Sequence, residues 1–186
     1  MRRRDVLAGG ASVGVLLGAG AVVRNGLPIG DGADDGHRDP RHDPVEVATV
    51  EAPGSDSGSI TVPGGGNPML VDLFATTCAV CRDQMPVLGR VQDRFGDELT
   101  LVSVTNESED AVDDEALARW WADHGGRWLL ARDPTSELIV HYGTSTPTAV
   151  LFDADGRVAW EDTGRKAESA FVENVRPVLD DDDPTT

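Results

Sequence analysis

A chain of 186 residues in which 33 acidic residues face 16 basic ones carries a formal net charge of -17. That length suits one domain of ordinary size with flanking segments, and that charge argues against a surface for nucleic acid or anionic membrane. Acidic residues also run through folded-looking stretches such as "NESEDAVDDEA", and lysine occurs once, at Lys166. This is the balance of a protein adapted to near-saturating salt, where self-repulsion is screened within a few Å.

Residues 1–23, "MRRRDVLAGGASVGVLLGAGAVV", combine a basic start with an uncharged, glycine-rich apolar run, the pattern of an export signal rather than of a fold element. Arg3-Arg4-Asp5-Val6-Leu7 resembles a twin-arginine motif. Two fates follow for such a segment: cleavage after Ala19-Gly20-Ala21, or retention as an anchor at the short end of membrane-spanning length. Either places the rest of the chain outside the cytoplasm, secreted or held at the outer face of the membrane, where disulfides persist. Residues 24–44 are Gly-, Asp-, His- and Pro-rich and read as a polar linker, and residues 180–186, with "DDDDP" at their core, as an acidic tail.

Between these flanks, residues 45–179 alternate strand and helix signals. Val45–Val50 and Ser59–Val62 predict a hairpin across turn-forming Gly, Ser and Asp. Then come a strand "MLVDLF", a helix from Cys78 to Phe95, a strand "LTLVSVT", a helix from Glu115 to His124, a short strand "RWLLAR" and a helix from Thr135 to Tyr142. Strands "TAVLF" and "RVAWE" flank the turn "DADG", and a last helix spans Lys166–Leu179. Alternation of this kind implies an α/β fold, a central mixed sheet flanked by helices.

The helices rest on spacing. Cys81, Met85, Leu88, Val91 and Phe95 line one face of the first; Leu117, Trp120, Trp121 and His124 line one face of the second, behind the N-cap candidates Asp113 and Asp114. Both tryptophans are expected in the core. Pro86 falls inside the first helix, where it removes a backbone hydrogen bond and predicts a kink.

The chemistry concentrates on Cys78 and Cys81, the only cysteines, spaced CxxC directly after a strand. Zinc needs four ligands as a rule, and of the four histidines His37 and His42 lie in the linker and His124 on an apolar helix face. Two thiolates with His141 would suit Cu(I). A purely structural disulfide across so small a ring removes little entropy from the unfolded chain. A dithiol accounts for both spacing and place. Cys78 at a helix start gains a stabilised thiolate and becomes the nucleophile, while Cys81, one turn on and facing the core, becomes the shielded resolving thiol.

From Val45 to Leu179 the sequence resembles thioredoxin-fold proteins, specifically the TlpA-like exported thiol-disulfide oxidoreductases. The resemblance is carried by the strand-CxxC-helix element, by Asp72 six positions before the first cysteine, by Pro86 eight after it, and by Pro147 in "GTSTPTAVLFDADGRV". The hairpin and the helical insertion "NESEDAVDDEALARWWADHGG" favour the TlpA-like branch over a minimal thioredoxin. The resemblance implies Asp72 as proton carrier for Cys81, a role that burial in an apolar strand would support by raising its pKa. It implies a cis peptide at Thr146-Pro147 that presents backbone to a partner strand beside Cys78. Thr77 and Phe74 depart from the family, standing where tryptophans are common. Thr77, Thr146 and Pro147 are thus the expected partner-facing positions.

The implied function is exchange of a CxxC dithiol or disulfide with exported partner proteins, such as apocytochromes or copper-site proteins. Electrons would come from a partner dithiol protein, the protein would act as a monomer, and no cofactor would be needed beyond the Cys78-Cys81 disulfide itself. Two alternatives stand beside it: a Cu(I)-binding assembly factor using Cys78, Cys81 and His141, and a thiol peroxidase using Cys78.

Overall fold

The computed structural model describes residues 43–143 and 145–181. The expected export signal, the expected linker before Asp43 and residues 182–186 of the expected acidic tail lie outside the described residues. Seven strands and four helices follow in order: β1 Val45–Thr49, β2 Gly58–Val62, β3 Met69–Phe74, α1 Ala79–Phe95, β4 Thr100–Thr105, α2 Asp114–Asp123, β5 Leu129–Arg132, α3 Glu137–Tyr142, β6 Thr148–Phe152, β7 Val158–Thr163 and α4 Glu168–Asp181. They form one mixed sheet in the order β2-β1-β5-β4-β3-β6-β7. β3, β4 and β5 run parallel, whereas β1 and β6 join them antiparallel and the predicted hairpin extends one edge.

β3 occupies the middle of this sheet and is buried at every position. A strand covered on both faces has no solvent side to mark with polar residues, hence the run "MLVDLF", apolar but for a single aspartate. The two faces bury separate cores. On one, Leu70 and Phe74 of β3 pack with Cys81, Met85, Leu88 and Phe95 of α1, Leu117 and Trp121 of α2, and Phe171 and Val175 of α4. On the other, Val71 and Leu73 pack with Val102 and Val104 of β4 and with Leu138 and Tyr142 of α3.

Differences from the sequence-based expectations lie at element ends and have local causes. α1 begins one residue late because Cys78 keeps extended backbone (φ -82°, ψ 107°) and serves as N-cap. α2 begins one residue early, since Asp113 alone is the cap and accepts from Ala116 N at 2.7 Å. α3 loses its first two residues: Ser136 is left-handed (φ 61°), and the Asp133 carboxylate instead holds Leu138 N at 2.8 Å. α4 passes through Pro177 and ends two residues into the expected tail. Both prolines within helices, Pro86 and Pro177, are accommodated in continuous helix. Trp121 is fully buried and meets Trp128 edge-on, as expected of core, but Trp120 is half-buried and stacks on Phe74 with ring centroids 5.3 Å apart.

Candidate active site

The chain leaves β3 at Phe74, turns through Ala75-Thr76-Thr77 with Cys78 N donating to Ala75 O at 3.1 Å, and enters α1. The turn places Cys78 where a helix has unpaired N–H groups and the positive end of its dipole. Cys78 Sγ accepts from Cys81 N at 3.1 Å, so the sulfur itself caps the helix. The two cysteines are joined as a disulfide, with Cα atoms 5.2 Å apart. They differ in access: Cys78 is half-buried at the surface end, while Cys81 is 2% exposed and belongs to the core under α1.

Of the positions expected to face a partner, Thr146 is brought directly to the sulfur, its carbonyl oxygen 3.6 Å from Cys78 Sγ. The Thr146-Pro147 bond is cis, and the loop is anchored from behind by Gly164 N, which donates to Pro147 O at 2.7 Å. A second cis bond, Val62-Pro63, follows β2 and had no counterpart in the sequence reading. Thr77 is exposed beside the half-buried Cys78.

Asp72 lies in register with Ser103 of β4 on one side and Ala149 of β6 on the other. It stands two positions from each of Leu70 and Phe74 and shares their face of the strand, so it faces the same core as Cys81. Its carboxylate is 3% exposed, and Oδ2 accepts from Ser103 Oγ at 2.9 Å; that hydroxyl in turn accepts from Trp128 Nε1 at 3.0 Å. Burial pushes the Asp72 pKa up to about 7, and the Ser103 hydrogen bond opposes the rise only in part. A carboxyl poised near neutrality can take or give a proton at working pH.

Three contributors were missed in the sequence. Ser103 is the one serine of "TLVSVT", and only the β3–β4 register pairs it with Asp72. Gln84, 2% exposed in α1, exchanges two hydrogen bonds with the backbone of Lys166 (Nε2 to O 3.2 Å; Oε1 from N 2.7 Å), tying α1 to the approach of α4. Glu107, hidden in an acidic stretch that reads as solvated surface, accepts from Thr76 N and Thr76 Oγ1 at 2.8 Å each and from Thr105 Oγ1 at 3.0 Å. Its backbone is fixed by Arg132, a 5% exposed guanidinium that also donates to Val112 O and to the Asp114 carboxylate.

Among the described residues, no group of three or more His, Cys, Asp or Glu side chains is gathered so as to hold a metal ion. His141 belongs to α3, whose buried residues serve the core on the opposite face of the sheet from Cys81. His124 caps α2, with Nδ1 2.6 Å from Trp120 O and its ring against the Trp120 indole. No helix among the described residues is long and apolar enough to cross a membrane.

The fold and the cysteine pair have counterparts among known proteins. The thiol:disulfide interchange protein DsbE of Xylella fastidiosa is 25% identical over 118 residues, which cover 62% of this chain and 57% of that relative. The chain therefore spans little more than half of that relative's length. A thioredoxin of Mycolicibacterium smegmatis is 42% identical over 134 residues, covering 72% of this chain and 97% of the relative. The solved structure of StoA from Bacillus subtilis shares the fold, with a TM-score of 0.60 at 16% identity over 72% of this chain and 98% of that one. The Redoxin family matches residues 50–179. The family match covers more than half of the chain, which therefore belongs to the Redoxin family, on the thioredoxin fold of its TlpA-like branch.

Proposed function

We propose that this protein is an exported thiol-disulfide oxidoreductase that exchanges electron pairs with the cysteines of partner proteins. The observation that carries the reading is the unequal placement of the two sulfurs: Cys78 at a helix start, open on one side, and Cys81 in the core directly behind it. In the reducing direction, the Cys78 thiolate attacks a partner disulfide, forming a mixed disulfide and expelling one partner thiolate. Cys81 then passes its proton to the Asp72 carboxylate and attacks Cys78 Sγ. The second partner thiolate leaves, and the Cys78-Cys81 disulfide remains, two electrons having passed to the partner. In the oxidising direction each step reverses.

Thr146, Pro147 and Thr77 form the partner-facing side in this scheme. A substrate segment lying along the Thr146 backbone would bring its sulfur to Cys78. The chemistry supplied by this chain is complete without an organic cofactor, its reductant being a second dithiol protein. Export by the N-terminal signal, action as a monomer and substrates such as cytochrome or copper-site precursors complete the proposal; similarity to a thiol:disulfide interchange protein supports its exchange chemistry.

Trapping tests the scheme. A Cys81→Ser variant should accumulate mixed disulfides through Cys78 that a Cys78→Ser variant does not form. Equal trapping by both variants would overturn the order of attack, and failure of the wild-type pair to reduce or oxidise any protein dithiol would overturn the activity.

A further inference from the structure

The direction of electron flow is left open by the dipeptide between the cysteines, Ala79-Val80, and the structure holds another determinant outside it. The turn Ala75–Thr77, which delivers Cys78 to α1, is clamped from the side by one carboxylate. Glu107 Oε2 accepts from Thr76 N and Oε1 from Thr76 Oγ1, both at 2.8 Å, while Thr105 Oγ1 secures Oε2 at 3.0 Å. Glu107 N donates back to Thr105 Oγ1 at 3.2 Å, and Arg132 Nη1 holds its carbonyl at 2.8 Å, so both backbone and side chain of Glu107 are fixed.

This geometry has two consequences for the sulfur. The Thr76 N–H, the amide two residues before Cys78, is spent on a carboxylate and is not offered to an anionic sulfur. A negative charge also stands within on the order of 10 Å of Cys78, since consecutive Cα atoms are about 3.8 Å apart. The first turn of α1 contributes no acidic residue, so among the described residues Glu107 is the carboxylate hydrogen-bonded to this turn. Both effects act against the Cys78 thiolate and oppose the helix-terminus stabilisation it otherwise receives. A less stable thiolate means a less stable reduced form, and a couple whose reduced form is less stable is the stronger reductant.

We propose that Glu107 is a positioning residue that biases the Cys78-Cys81 couple toward the reducing end of its range, so that the protein donates electrons to its partners. The inference rests on the oxidoreductase reading and adds its direction. It is read from the equilibrium in which the protein disulfide and two glutathione thiols give the protein dithiol and glutathione disulfide. The exchange moves two electrons and two protons and balances without a further reactant.

The test uses the full chain and its Glu107→Gln and Glu107→Ala variants. Glutamine keeps an acceptor for Thr76 while removing the charge; alanine removes both. In Glu107→Gln the glutathione equilibrium should move about tenfold toward the dithiol, about 30 mV more oxidising for this two-electron couple. The pH midpoint for alkylation of Cys78 by iodoacetamide should fall with it. Glu107→Ala should move at least as far. Should Glu107→Gln match the wild type within twofold in both measurements, the inference is overturned, whatever happens to thermal stability. Absence of any equilibration between wild-type protein and glutathione would instead remove the oxidoreductase reading, and it would be seen before any variant is compared.

Discussion

In β3 and β4 the two faces of the central sheet share strands and burial, yet only one of them buries polar side chains. On the α3 face, β3 and β4 present Val71, Leu73, Val102 and Val104, an aliphatic surface. On the α1 face the same two strands present Leu70, Asp72 and Phe74 beside Leu101, Ser103 and Thr105, and over them lie Cys81 and Gln84. A buried polar group costs free energy unless it is paired. The α1 face meets that cost with specific partners, Ser103 for Asp72, Trp128 for Ser103 and Lys166 for Gln84. One face therefore serves cohesion, and the other sets Cys81 in the same core as a carboxyl whose protonation burial shifts.

That division can be broken from either side. The largest effect is expected from Cys78→Ser, which should reduce disulfide exchange to background in an insulin-reduction or glutathione assay while leaving the fold intact by circular dichroism. On the opposite face, Leu73→Ala should cost about 2–5 kcal/mol of stability in urea unfolding, the usual range for a buried leucine. Exchange per folded molecule should be unchanged. A Leu73→Ala variant that is stable but catalytically slow would deny the division of labour.

Asp72 joins the two properties, and Asp72→Asn should separate them. Without a proton acceptor for Cys81, release of the mixed disulfide should slow roughly 10²-fold. The rise of the wild-type rate through pH about 7 should disappear with it. Stability should move the other way. Because the folded pKa lies above the unfolded 3.8, the folded state binds the extra proton between the two values, so wild-type stability falls as pH rises from about 4 to about 7. Asparagine has no such proton to lose. Asp72→Asn should therefore match wild type near pH 4 and exceed it by roughly 2–4 kcal/mol at pH 8, as each pKa unit is worth about 1.4 kcal/mol. Equal stability at both pH values would show that Asp72 reaches solvent.

How far the sequence disclosed this arrangement depended on whether the signal was local. Cys78, Cys81 and Asp72 stand within ten positions of one another, and strand and helix periodicity alone put the cysteines at a helix start and the aspartate in a buried strand. Pro147 was legible because a family pattern fixed its place, although its contact through Thr146 spans 68 positions. Ser103, Gln84 and Glu107 were not legible. Their partners lie 31, 82 and 31 residues away, and each looks ordinary in its own window: a serine in a strand, a glutamine on a helix, a glutamate in an acidic run. Trp120 was misjudged for a related reason. Helical spacing assigns neighbouring residues 120 and 121 to one broad face, but only packing against Phe74 and Trp128 decides which of them is enclosed.

The smallest expected effect probes the link between strands. Ser103 is a two-way partner, donating to Asp72 and accepting from Trp128. Ser103→Ala removes the one hydrogen bond that holds the Asp72 pKa down, so the carboxyl should titrate higher than in the wild type. The pH at which exchange reaches half its maximum should move upward with it. The Trp128 N–H is left buried without this acceptor, a loss of about 1–3 kcal/mol. Ser103→Thr keeps the hydroxyl and should retain the wild-type pH profile, at some cost in packing from the added methyl. If both variants lose stability equally and neither shifts the profile, Ser103 acts as packing alone. The polar line across the α1 face would then end at Asp72.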